Sequence, residues 1–259
     1  MSTQPIKSPW VSLKRPNPDA AVRLFCFPYA GGGAAIYRNW QGGFSPSVEV
    51  CPVQPPGRGE RLSERPFTQF KPLVEAAAEA LRPFFDKPFA FFGHSMGALI
   101  SYELAHLLRR EGMAGPTHLF VSGHSAPHLR NRQVISYNLP EKEFIEELRR
   151  LDGTPKEVFE HPELLTLMIP LLRADFEVCE TYPVSDEPPL DCPVVAFGGA
   201  GDTEVPSDKI EAWRERTSGP FKMHILPGDH FFIHTAERAI TGEVARELSG
   251  TAGLNARRP

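Results

Sequence analysis

A serine can open an acyl bond when a histidine and an acid stand behind it, and this 259-residue chain sets one serine up for that task. Phe92-Gly93-His94-Ser95-Met96-Gly97-Ala98 reads Gly-x-Ser-x-Gly, with the apolar run Pro88 to Phe92 before it and a helical pattern, Ala98 to Ala105, after it. That is the pattern of a nucleophile elbow, a strand-to-helix turn tight enough to strain the serine backbone. Glycines stand two before and two after because a Cβ at either place would meet the neighbouring strand or helix. The turn lifts the Ser95 hydroxyl clear of the backbone. It also sets the Met96 amide at a helix N-terminus, where it can donate to an oxyanion.

A lone serine hydroxyl is a poor nucleophile at neutral pH, so a general base must lie within hydrogen-bond reach. Where such an elbow sits on a parallel sheet, the acid and then the histidine follow in chain order. Five of the nine histidines lie beyond Ser125: His128, His161, His224, His230 and His234. His230 follows the last predicted strand in Leu226-Pro227-Gly228-Asp229-His230, in a short loop that can reach over the top of the sheet. His224 falls inside a strand, His234 inside a helix, and His128 and His161 on polar or inserted segments. Asp202 follows Phe197-Gly198-Gly199-Ala200-Gly201, where glycines let a carboxylate turn inward. It would hold the His230 tautomer and stabilise the imidazolium. Asp229 adjoins His230 and reads as a local loop residue. The preceding strand ends Ser122-Gly123-His124-Ser125-Ala126-Pro127, with no carboxylate. It also repeats part of the elbow, but Ala126-Pro127 forbids a helix, so Ser125 is not the nucleophile.

The second oxyanion donor is expected from the glycine loop Tyr29-Ala30-Gly31-Gly32-Gly33, at the amide of Ala30, with Tyr29 one residue off. Two such amides would each stabilise a tetrahedral intermediate by roughly 3–4 kcal/mol.

The elements that must position these groups alternate along the chain. Strands are predicted over Ala21 to Phe27, Val48 to Gln54, Pro88 to Phe92, Thr117 to Ser122, Cys192 to Gly198 and Lys222 to Leu226. Helices are predicted over Pro72 to Phe85, from the elbow to about Arg110, and over Phe231 to Leu248. That alternation implies an α/β fold with a mostly parallel sheet covered on both faces. Between Asn131 and Pro189 the rhythm breaks into two helical patterns, Glu141 to Leu151 and Pro162 to Tyr182, joined by Asp152-Gly153-Thr154-Pro155. An insert there would sit over the carboxyl ends of the strands, where such sheets bind ligands. Its apolar residues Phe144, Leu148, Leu167, Met168, Leu171 and Phe176 either face an acyl chain or pack the insert on the body. The division is a loose arm over 1–20, a core over 21–130 and 190–249, a helical lid over 131–189 and a tail over 250–259.

Apolar residues make up 41% of the chain and charged residues 23%, enough for a large core without disorder. A net charge of −4 argues against nucleic acid or an anionic membrane as main partner. The first twenty residues hold Lys7, Lys14 and Arg15 but no apolar segment of a secretory signal. No run reaches the roughly 18 apolar residues of a spanning helix. Cys26, Cys51, Cys179 and Cys192 show no paired or metal spacing and read as reduced thiols of a cytoplasmic protein.

With these pieces assembled the chain resembles the type II thioesterases, the editing hydrolases of polyketide and nonribosomal peptide assembly lines. The resemblance rests on Phe25-Cys26-Phe27-Pro28-Tyr29-Ala30-Gly31-Gly32, Gln54-Pro55-Pro56-Gly57-Arg58-Gly59-Glu60-Arg61, the elbow, Gly201-Asp202 and Gly228-Asp229-His230-Phe231-Phe232, and spans about residues 20 to 248. It implies an α/β-hydrolase fold, a Ser95-Asp202-His230 triad and hydrolysis of acyl thioesters on the phosphopantetheine arm of acyl or peptidyl carrier proteins. It also implies a lid pocket for short acyl groups, to which Tyr29, Phe144, Met168 and Phe176 are assigned, and no metal or dissociable cofactor. Arg58 and Arg61 would meet phosphate or an acidic carrier helix, or else be solvated or structurally paired. His124 stands where relatives are expected to carry a more basic residue. A monomer is expected.

Three other readings share these motifs. A small-molecule carboxylesterase has the same chemistry, though the His-Gly-Gly-Gly signature is missing. A non-catalytic acyl-binding module commonly loses a triad member, and this chain keeps all three. Acyl transfer to an amine or alcohol would need an acyl-enzyme that resists water.

Overall fold

The computed structural model describes residues 8–13, 16–129, 135–154, 156–183 and 186–255. In β1 (Val22–Phe27) every residue is buried, with Val22, Leu24 and Cys26 in the core on one side of the sheet and Phe25 and Phe27 in the core on the other. A strand apolar on both faces belongs inside a sheet covered by helices on both sides. It is joined by β2 (Val48–Pro52), β3 (Phe89–His94), β4 (Leu119–Ser122), β5 (Val194–Gly199) and β6 (Phe221–Leu226). Among the described residues these form one sheet in the order β2-β1-β3-β4-β5-β6, every neighbour parallel.

Parallel neighbours need crossovers, and helices supply them. α1 (Phe70–Leu81) and α2 (Met96–Arg110) pack with Phe25, Phe91 and Val121 on one face. Between β4 and β5 lie α3 (Glu141–Leu151), α4 (Lys156–Glu160) and α5 (Pro162–Glu180). α6 (Ser207–Glu211) follows β5, and α7 (Phe232–Thr235) and α8 (Glu237–Asn255) close the chain. Ile240, Val244 and Leu248 of α8 cover the second face, against Trp40, Phe92 and Phe197.

Several boundaries differ from expectation. α1 starts ahead of Pro72, which falls in the first turn, where a missing N–H breaks no intrahelical bond. The insert holds a third helix, α4, where a plain linker is expected. The closing helix is broken at Ala236, whose φ of −105° and ψ of 19° end α7 before α8 begins. In the expected arm, Trp10 and Val11 are buried and Val11 forms an antiparallel bridge with Val53, so this part is packed, not loose. Residues 1–7 with Lys7, Lys14 and Arg15, residues 130–134 with Asn131, Pro155, and residues 184, 185 and 256–259 lie outside the described residues. α8 runs to Asn255, into the expected tail. The cysteines are free thiols, and no described helix is long and apolar enough to cross a membrane.

Strand order reverses between β1 and β3, so the loops that leave their carboxyl ends diverge and open a crevice. Tyr29 to Gly33 leaves one side and Ser95 the other. Asp202 follows β5 and His230 follows β6, at the same edge of the sheet.

Candidate active site

Ser95 stands between β3 and α2 with φ 52° and ψ −118°, a left-handed backbone that costs a residue with a Cβ about 1–3 kcal/mol. Hydrogen bonds hold the turn there: the Ser95 N–H donates to the Ser122 carbonyl at 2.7 Å, and the Ala98 N–H donates to the Ser95 carbonyl at 2.9 Å. The flanking glycines are needed for space. A Cβ on Gly93 would collide with the Gly97 carbonyl, and one on Gly97 with the carbonyl of Phe27 in β1. Both obstacles are backbone, which has no flexible end to move aside.

The Asp202 side chain is fully buried and its carboxylate faces three donors. Oδ1 accepts the N–H groups of Glu204 at 2.9 Å and Val205 at 3.0 Å, and Oδ2 lies 2.8 Å from His230 Nδ1. A carboxylate with this donor set accepts, so His230 Nδ1 carries the proton. His230 Nε2 then presents a lone pair to the Ser95 hydroxyl at 3.2 Å. The acid and histidine loops are pinned together, since the Gly201 N–H donates to the Gly228 carbonyl at 2.8 Å. Asp229 accepts the Phe231 N–H at 2.8 Å and serves its own turn, as read from sequence. A serine, an imidazole and a carboxylate aligned this way can generate an alkoxide equivalent and later return the proton.

In the glycine loop, Tyr29, Ala30, Gly31 and Gly32 line the same cavity as Ser95. Two of their amides are committed: Gly31 N–H to Asp175 Oδ2 at 2.7 Å and Gly32 N–H to the Tyr29 carbonyl at 2.9 Å. Ala30 and Tyr29 carry the remaining two amides of this wall. Met96 keeps its side chain in the core, and its N–H opens α2.

The cavity holds about 730 Å³ and is roofed by α3, α5 and the segment between α3 and α4. Met168 and Phe176 line it with Leu148 and Leu172, and Tyr29 lines its floor. Tyr29 Oη stands 2.9 Å from His234 Nε2. Phe144 is not a lining residue. It is fully buried in a small core with Leu148 and Leu172, edge-on to Phe176 at 5.5 Å, and so supports the wall from behind. Leu167 is 53% exposed and Leu171 packs beside Gly57, so neither faces the cavity. A polar clasp crosses the rim, where Arg150 of α3 binds Glu147 at 2.8 Å and Glu204, near Asp202, at 2.6 Å.

Arg58 and Arg61 are not free for a phosphate or an acidic helix. Arg58 is buried in a two-pronged pair with Asp175 of α5, at 2.7 and 2.8 Å, and also donates to the Gly32 carbonyl. Arg61 is buried between Glu64, the Gln54 carbonyl and the Trp10 ring.

The match to the thioesterase domain model runs over residues 22–250. The chain belongs to the thioesterase family. It is a thioester hydrolase on an α/β-hydrolase fold. RedJ, a thioesterase of the prodiginine pathway of Streptomyces coelicolor, superposes with a TM-score of 0.84 at 40% identity, over 95% of this chain and 91% of that one. BorB, a type II thioesterase from the borrelidin cluster, gives 0.84 at 36% identity, over 92% and 97%. A Brevibacillus parabrevis protein named linear gramicidin dehydrogenase LgrE is 46% identical over 93% of both chains. In the present thioesterase the loop after β1 reads Gly31-Gly32-Gly33-Ala34-Ala35-Ile36 and that after β5 Gly199-Ala200-Gly201-Asp202-Thr203-Glu204; both lack the third glycine of a dinucleotide-binding turn.

Sequence reasoning missed Leu172, Asp175, Ser122 and His94. Leu172 and Asp175 sit in a helix where periodicity cannot tell a cavity wall from a packed face. His94 fills a variable place in the elbow motif, and its role depends on strands far apart in sequence.

Proposed function

We propose that this thioesterase removes stalled or wrongly primed acyl groups from the phosphopantetheine arms of carrier proteins in nonribosomal peptide or polyketide synthesis. Ser95 Oγ attacks the thioester carbonyl carbon while His230 Nε2 takes its proton. The Met96 and Ala30 amides hold the oxyanion, and Asp202 stabilises the imidazolium. The carbon–sulfur bond then breaks, leaving an acyl-serine, and His230 gives its proton to the departing pantetheine sulfur, which restores the neutral imidazole. Water deprotonated by His230 attacks the acyl-serine, the proton returns to Ser95, and the free acid leaves.

What carries this reading is the single line Asp202–His230–Ser95, 2.8 and 3.2 Å, whose Ser95 and His230 line a cavity large enough for a short acyl group and the end of the arm. The segment 131–189 serves as the lid, with Met168, Phe176 and Tyr29 around the acyl chain and carrier proteins as partners. Similarity to thioesterases of the prodiginine and borrelidin systems supports the editing role.

The test compares kcat/KM on an acyl-carrier protein with that on a simple oxygen ester of the same acyl group. Preference for the carrier thioester by about a hundredfold or more is expected. Equal or better turnover of the oxygen ester would make this a general esterase.

A further inference from the structure

Ser95 and His230 leave the ends of β3 and β6, which β4 and β5 separate in the sheet, yet their side chains meet at 3.2 Å. His230 stands in a loop outside any strand ladder, so its imidazole is only as well placed as its backbone. Ser122, the last residue of β4, holds Ser95 directly and reaches His230 through His94. Its carbonyl accepts the Ser95 N–H at 2.7 Å. Its hydroxyl lies 2.9 Å from His94 Nδ1, and His94 Nε2 lies 3.0 Å from the backbone carbonyl oxygen of His230.

The direction of these bonds follows from donor chemistry. A carbonyl oxygen only accepts, so His94 Nε2 carries the proton and donates to His230. Burial, with His230 nearby as a second cause, holds the His94 imidazole well below its ordinary range, so the ring is neutral. Its Nδ1 is therefore bare and accepts the Ser122 hydroxyl proton. The ring has no exposed surface. Phe232 and Tyr29 stand edge-on to it at 5.4 and 5.8 Å, and a Cβ on Gly123 would sit 2.7 Å from its Cε1. Gly123 has φ 59°, so the turn after β4 is shaped tightly around this imidazole.

We infer that His94 is a positioning residue: with Ser122 it forms a yoke that refers the nucleophile turn and the His230 backbone to one point, the end of β4. This rests on the reading of Ser95 and His230 as nucleophile and base. His94 touches no reacting atom, and its effect is on the alignment of His230. Displacements of about 1 Å at such a contact can cost on the order of a hundredfold in rate.

Two substitutions separate positioning from packing. His94→Gln can place an amide donor near the old Nε2 and reach the His230 carbonyl. His94→Asn can reach Ser122 but falls short of that carbonyl. The rates are read on an acyl-carrier protein, alongside the low-field proton resonance of His230 Nδ1–H facing Asp202 and the melting temperature. His94→Gln is expected within about threefold of wild-type kcat with the resonance kept. His94→Asn should lose about 10- to 100-fold in kcat, with KM within twofold and the resonance shifted or broadened. Equal behaviour of the two variants in rate and resonance, at wild-type level or lowered together with melting temperature, would overturn the inference. Wild-type protein inactive on acyl thioesters would remove the underlying reading instead, and the resonance comparison would still decide the His94 contact.

Discussion

Arg58 and Asp175 face each other as a buried two-pronged pair, Nη1 to Oδ2 at 2.7 Å and Nη2 to Oδ1 at 2.8 Å, and so tie the loop after β2 to helix α5. The same Oδ2 accepts the Gly31 amide, which places the glycine loop of the site in that network. Removing one partner strands a charge in the interior, at a cost of about 3–5 kcal/mol. Asp175→Ala should lower unfolding free energy by that amount in a urea melt. The double variant Arg58→Met, Asp175→Leu should recover much of it. A single variant within 1 kcal/mol of wild type would show that the pair holds little.

Gly97 and Gly242 contrast what glycines do here. A Cβ on Gly97 meets the Phe27 carbonyl, so Gly97→Ala should cost upwards of ~3 kcal/mol and activity with it. Gly242 lies exposed within α8, with nothing within 4 Å of an added Cβ. Gly242→Ala should raise stability by about 0.5–1 kcal/mol, through helix propensity alone. Thermal melts of both variants check the pair, and a neutral Gly97→Ala would refute the tight elbow.

Most of the fold and the meeting of Ser95, His230 and Asp202 was legible because each rests on local pattern. Near-continuous apolar runs mark β1 and β3, and the elbow needs its two glycines for reasons visible in five residues. Asp202 and His230 could be picked because each follows a strand. Contacts between distant segments were not legible. Arg58 could be read toward a phosphate or as a solvated or paired arginine, because nothing nearby in sequence announces Asp175, 117 positions on. Phe144 and Met168 carry the same helical pattern, and only packing separates the residue behind the wall from the one that forms it.

That distinction is measurable. Met168→Trp, filling the cavity, should shift the acyl-length profile on carrier substrates toward shorter groups. Phe144→Ala should instead cost about 3–5 kcal/mol of stability and leave the profile in place. Exchange of these two outcomes would place Phe144 in the cavity.

Acid should loosen the protein before its carboxylates protonate. Burial pushes the His106 and His124 imidazoles down to about 4, with Arg109 adding to the effect at His106. In the unfolded chain each titrates near 6.5, so the unfolded state takes up the proton first as pH falls. The stability tied to their neutral forms is therefore complete above pH ~6.5 and is lost progressively down to about 4. Melting temperature should decline across that window, and His124→Gln should flatten the slope. Parallel curves for wild type and variant would contradict the assignment.

The most direct test of the proposed chemistry is intact-mass measurement of a carrier protein loaded with acetyl, propionyl and longer acyl groups, incubated with wild-type or Ser95→Ala protein. Wild type should strip the acyl mass and leave free holo-carrier, while Ser95→Ala leaves the acyl-carriers unchanged. Acyl-carriers that persist with wild type, or that Ser95→Ala clears at a similar rate, would contradict the account.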